Sequence, residues 1–157
     1  MSRYAENTTV PSEKSKAEIE ATLTRYGATA FGYGWQEKGA MITFEVNGRR
    51  IRFILPMPVR NDKTFLNTAA RNLKRSPEQV QVEYEQAVRQ RWRALALAIK
   101  AKLEAVASGI TEFEDEFLAH IVLPNGKSAR AWMRPQIARA YEQNKMPPLL
   151  GYDGDAA

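Results

Sequence analysis

The spacing of apolar positions changes twice along this chain, and each change marks a different kind of element. Residues 15–26 carry Ile19, Leu23 and Tyr26 at helical spacing, with Ser15 and Glu18 as a capping pair and Gly27 as a C-terminal stop. A first helix is predicted there. In ATAFGYGWQ, MITFEV and RRIRFIL the period falls to two, the alternation of strands, and Asn47-Gly48 between the last two is a strong hairpin signal. A two-residue turn sets Phe44 opposite Ile51 and Ile42 opposite Phe53. This register places Ile42, Phe44, Val46, Ile51, Phe53 and Leu55 on a core face, with Thr43, Glu45, Arg50 and Arg52 on the other. The first strand divides into Phe31, Tyr33 and Trp35 against Ala30, Gly32 and Gly34. Its pattern leaves open which side meets the core, because aromatics fill cores and glycines pack closely under helices.

Pro56 and Pro58 end the third strand, and Asp62 to Arg75 predicts a short helix with Phe65, Ala69 and Leu73 inward. The longest helix is predicted from Ser76 to Gly109. Ser76 and Gln79 form a capping box, Pro77 takes the first helical position, and Gly109 suits a left-handed stop. One stripe of this helix collects Tyr84, Val88, Trp92, Leu95, Ile99, Leu103 and Val106. Arg89, Arg93 and Lys100 flank the stripe on one side, Arg91 and Lys102 on the other. An acidic segment follows from Thr111 to His120, then a second turn at Asn125-Gly126. A last short helix is predicted from Arg134-Pro135 to Gln143, with Ile137 and Tyr141 inward and Pro147-Pro148 beyond it. The class is α+β: a small antiparallel three-stranded sheet packed on a long helix, in the order α-β-β-β-α-α, then a short hairpin and a C-terminal helix. One domain spans 12–150, between flexible tails at 1–11 and 151–157.

Composition narrows the classes further. A chain of 157 residues, 44% of them hydrophobic, suffices for one core, and no apolar run nears the roughly 20 residues of a membrane span. The N-terminus is polar and lacks the apolar stretch of a secretory signal. Zero cysteines exclude disulfides, thiolate metal sites and a cysteine nucleophile. A cytoplasmic protein is expected. The net charge of +5 understates an asymmetry, since residues 49–102 hold 13 basic against 4 acidic side chains. Such concentration raises the local potential toward polyanions.

Catalytic chemistry is thinly represented. His120 is the sole histidine; with Glu116 four residues earlier it makes two candidate ligands, too few for a zinc site. Glu112, Glu114, Asp115 and Glu116 lack the alternating ligands and central glycine of a calcium loop, and read as a solvated acidic helix that docks on the basic helix of a neighbouring subunit. Gly32-Tyr33-Gly34 has no third glycine at phosphate-loop spacing, and no serine sits in a Gly-x-Ser-x-Gly context. No enzymatic activity, cofactor or metal is expected. What remains is a cationic track beside aromatic platforms, the combination that holds phosphates and unstacked bases of a single strand. Arg50, Arg52, Arg89, Arg93 and Lys100 are the candidate phosphate contacts, and Tyr33 and Trp35 the candidate stacking surfaces. Single-stranded DNA is the favoured partner. The competing class is a protein-interaction module, such as a phage inhibitor or accessory factor, whose basic surface meets an acidic protein. A homo-oligomer is expected because Leu97 lies about 140° around the long helix from Trp92, outside the stripe that one core buries.

The segments RQRWRALALAIKAKLEAVASGI and FLAHIVLPNGKSARAWMRPQIARAYEQNKMPPLL resemble small uncharacterised proteins of bacteria, phages and other mobile elements, over most of the chain from Ser12 onward. The resemblance implies a mobile-element setting and transfers no functional residue. The order of helix, three-stranded meander and long helix is similar to the core of Rad52-type single-strand annealing proteins, which implies a role in recombination or replication.

Overall fold

The Asn47-Gly48 turn sets the sheet. In the computed structural model, which describes residues 5–36 and 39–146, Asn47 and Gly48 take φ of 52° and 71°, the paired left-handed conformations of a type I′ hairpin. β2 (Gly39–Val46) and β3 (Arg49–Pro56) therefore pair with Phe44 opposite Ile51 and Ile42 opposite Phe53, as the turn predicts. β1 (Ala30–Gln36) adds to β2, giving an antiparallel sheet of order β1-β2-β3. Phe31 lies opposite Phe44, Tyr33 opposite Ile42 and Trp35 opposite Ala40. Directly opposed residues share a face, so the aromatics of β1 point to the core side and Gly32 and Gly34 to the open side. Gly39 is required by a close approach: a Cβ there would lie 2.5 Å from the Leu55 carbonyl oxygen. Gly39→Ala is expected to destabilise the fold by about 1–3 kcal/mol in urea unfolding, as overpacking does; an unchanged midpoint would contradict this close approach.

α1 (Ser12–Arg25) and α3 (Pro77–Ala107) cover the core face. Both halves of the predicted capping box are present, Ser76 Oγ accepting from the Gln79 amide and the Gln79 side chain accepting from the Ser76 amide. Trp92, Leu95, Ile99 and Leu103 of α3 pack with Ile19 and Leu23 of α1 and with Ile42, Phe44, Ile51 and Phe53 of the sheet in one core. The two helices run parallel, tied by an Arg93–Glu18 ion pair and, farther along, by the Tyr26 hydroxyl donating to Glu104. Ahead of α1, Gln86 Nε2 donates to the carbonyls of Glu6 and Thr8 at 3.2 and 2.9 Å. At the other end of the core, α4 (Phe113–Phe117) inserts Phe117, fully buried and edge-on to Phe44 and Phe53.

Several local expectations are corrected. α1 starts at Ser12 rather than at a Ser15 cap; Ser15 is buried inside the helix. The segment 62–75 forms only a single helical turn, α2 (Lys63–Leu66), and Ala69 and Leu73 are exposed rather than inward. There Arg75 Nη1 lies 2.8, 3.1 and 2.6 Å from the carbonyls of Thr64, Phe65 and Asn67, satisfying acceptors that a continuing helix would have used, and Asn72 reverses the chain at φ 51°. The acidic segment contracts to α4 and a 3-10 turn, Leu118–His120. α5 (Ala129–Gln143) begins earlier than Arg134, because Ser128 Oγ accepts from the Ala131 amide and caps it; the helix then crosses Pro135. Ile137 and Tyr141 are exposed rather than inward. The second turn closes a short antiparallel bridge, Val122 to Ser128, while Ile121 bridges to Ile51 on the outer edge of β3. No described helix is long and apolar enough to cross a membrane. Pro147-Pro148 and the expected tail at 151–157 lie outside the described residues.

Candidate nucleic-acid interface

Tyr33 and Trp35 owe their exposure to position: they share the core face, but on an edge strand at the margin of the helical layer. Tyr33 remains 51% and Trp35 63% exposed, while Trp92 beneath them is fully buried. Lys16 of α1 fills the space between the rings. Its ammonium lies 5.3, 5.2 and 4.9 Å from the centroids of Tyr33, Trp35 and Trp92, and pairs with Glu13 at 2.7 Å. The Trp35 ring also meets Trp92 edge-on at 6.4 Å. The exposed indole is thus held in orientation by a cation and a buried ring.

Trp35 forms part of one wall of a groove of about 860 Å³. Across it stand Tyr84, Val88 and Arg89 of α3, and the segment after β3 contributes Met57 and Arg60. This volume suits a cleft that takes a small ligand or one nucleotide unit. Tyr84 is oriented edge-on by Phe65 at 6.0 Å, so the irregular α2 segment helps position the groove. Arg89 is steadied by Gln86 Oε1, which accepts from its Nε at 3.2 Å and Nη2 at 2.7 Å. Arg60 has no hydrogen bond or ion pair among the described residues. Pro11 and Ser12, where α1 begins without a side-chain cap, border the same groove. Two aromatic and two arginine side chains therefore line a shared space, with Glu85 as the acidic member of the lining.

The residues singled out from sequence separate into distinct places. Trp35 and Arg89 meet in the groove, and Tyr33 adjoins them through Lys16. Arg93 is committed to Glu18 in a partly buried ion pair. Lys100 is exposed about two turns farther along α3. Arg50 and Arg52 lie on the opposite side of the sheet, Arg50 across from Glu45 and Arg52 donating to the Gly126 carbonyl at 2.8 Å. One continuous track through all seven is therefore absent among the described residues. Tyr84 and Arg60 were missed as groove residues. Tyr84 reads as one more member of the apolar stripe, and Arg60 as one of many cations; the Pro-rich exit from β3 was the available signal.

Glu114 and Glu116 pair within their own chain, with Arg49 and Lys102 at 2.7 and 2.8 Å. Glu116 and His120 do not form a ligand pair: His120 stacks on Phe53 at 4.0 Å instead. Among the described residues no group of three or more His, Asp or Glu side chains is placed to hold a metal. Compared with protein-family models, curated proteins and solved structures, the chain matches none.

Proposed function

We propose that this protein is a non-enzymatic binder of single-stranded nucleic acid, with single-stranded DNA the preferred form. The observation that carries the reading is the groove where an exposed, oriented Trp35 and Tyr84 share space with Arg60 and Arg89. A base in a duplex already stacks on its neighbours, whereas an unpaired base gains by stacking on an indole while its phosphates meet the guanidinium groups. The basic excess of residues 49–102 supplies the attraction that brings the strand in. A role in recombination or replication of a mobile element fits this activity.

The test is fluorescence anisotropy with a labelled oligodeoxythymidine, a duplex of equal length and an oligouridine, each over a salt series. Binding should be tightest for the single DNA strand. Its affinity should fall by roughly 0.7 log units per log unit of salt for each phosphate neutralised. No binding at low salt, or equal binding of duplex and single strand, would reject the reading.

A second reading rests on α5 and the residues just after it, where Ile137, Tyr141 and Met146 are 48%, 86% and 82% exposed and Arg134 is also exposed. An apolar stripe beside a cation suits a protein surface, whether an acidic partner or another copy of this chain. A solution mass that stays monomeric at high micromolar concentration would remove the second copy.

A further inference from the structure

At the β3 edge of the sheet, away from the groove, three nitrogen-bearing side chains converge from distant parts of the chain. Arg52 of β3, His120 of the 3-10 turn and Arg130 of α5 line one pocket of about 270 Å³, with Met41 and Ile54 on the sheet and Ser128 at the start of α5. Among the described residues no carboxylate lines it. We propose that this pocket is a phosphate-binding site, taking a phosphate monoester, diester or free phosphate through Arg52, Arg130, His120 and the Ser128 hydroxyl.

The donors are organised before any ligand arrives. Arg52 is anchored by the Gly126 carbonyl at 2.8 Å, a bond that uses one of the five N–H donors of its fork. The His120 ring lies flat on Phe53, with 4.0 Å between centroids and 20° between planes. Ser128 Oγ accepts from the Ala131 amide, which leaves its own hydrogen to donate. The Arg130 side chain is exposed and makes no ion pair or hydrogen bond among the described residues. A planar guanidinium fork matches two phosphate oxygens, and two forks facing one space can share a dianion.

Charge around the pocket is left unbalanced in the same sense. Burial, then repulsion from Lys102 and Arg130, holds His120 below the ordinary imidazole value, opposed by a hydrogen bond with the Arg52 backbone. The carboxylates nearby, Asp115 and Glu116, line an adjoining cleft that shares His120 and Arg130 with this pocket, and Glu116 is engaged by Lys102 at 2.8 Å. An anion seated between Arg52 and Arg130 would reverse the sign of the local field and favour the imidazolium.

The sole histidine of the chain makes the test specific. The full chain, labelled with nitrogen-15, is titrated with sodium phosphate or with sodium chloride at matched ionic strength while the ring resonances of His120 are followed over pH. Phosphate, and not chloride, should raise the His120 pKa and shift its ring signals saturably. Arg130→Gln, which removes a guanidinium with no hydrogen bond or ion pair among the described residues, should keep the fold and weaken the phosphate response about tenfold or more. Equal responses to the two salts, or a folded R130Q protein with the full phosphate response, would overturn the site. Oligodeoxythymidine with and without a 5′-phosphate then distinguishes the source. A stronger response to the phosphorylated strand assigns a terminal phosphate, equal responses assign the backbone, and a response to inorganic phosphate alone assigns a free anion. The site does not rest on the groove: loss of strand binding in a Trp35 variant leaves its prediction unchanged.

Discussion

Replacing Trp92 with alanine is expected to lower stability by about 3–5 kcal/mol. The indole is fully buried at the junction of α1, α3 and the sheet, so truncation removes a large apolar surface from the core and leaves a cavity whose walls are set by three elements. It also removes the ring under Lys16 and the edge that supports Trp35. A domain of this size holds roughly 5–15 kcal/mol in total, so this one change takes a large share. The melting temperature should fall by about 6–20 °C. Trp92→Phe should cost far less, about 1–2 kcal/mol, because it keeps a ring and removes an indole N–H that is buried without a hydrogen-bond partner among the described residues. Urea unfolding followed by far-ultraviolet circular dichroism measures both. A loss below about 1 kcal/mol for the alanine variant would show that the core does not converge on this residue.

Trp35→Ala should have the opposite profile, a protein that melts near the parent temperature and binds single-stranded DNA about 5- to 150-fold more weakly. That range corresponds to about 1–3 kcal/mol for loss of one base-stacking platform, and the salt slope should stay unchanged because no cation is removed. Replacing Arg60 and Arg89 together with glutamine should instead flatten the slope, by about 0.7 for each phosphate that the variant no longer neutralises. Arg93→Gln is the control: its guanidinium is committed to Glu18, so binding should change little while stability falls modestly. If folded Trp35 and Arg60/Arg89 variants bind like the parent, the groove is not the interface.

The parts of the fold legible in the sequence are those controlled by neighbours along the chain. Asn47-Gly48 takes the two left-handed conformations that its residue types favour, and the register of β2 and β3 follows from a period of two. Ser76, Pro77 and Gln79 start α3 where their capping chemistry requires. The hydrophobic stripe through Trp92 and Ile99 is buried because a long amphipathic helix beside an apolar sheet face has one favourable orientation. Misread segments are those where distant or opposing groups intervene. Helical spacing in 62–75 is overruled by the Arg75 guanidinium, and α5 starts ahead of Arg134-Pro135 because Ser128 caps it there.

For the candidate sites, composition determined that cations outnumber acids and that aromatics are present beside them, and strand periodicity determined that Arg50 and Arg52 share a side of the hairpin. Tertiary structure decided which of them stand together. The pairing of β1 with β2 turned Tyr33 and Trp35 to the side opposite those arginines. Arg93 meets Glu18 across a separation of 75 residues, and Arg52 meets Gly126 across 74. Conformational preferences act over a few bonds and are written locally, whereas the state of a charge depends on whatever the folded chain brings within a few ångströms of it.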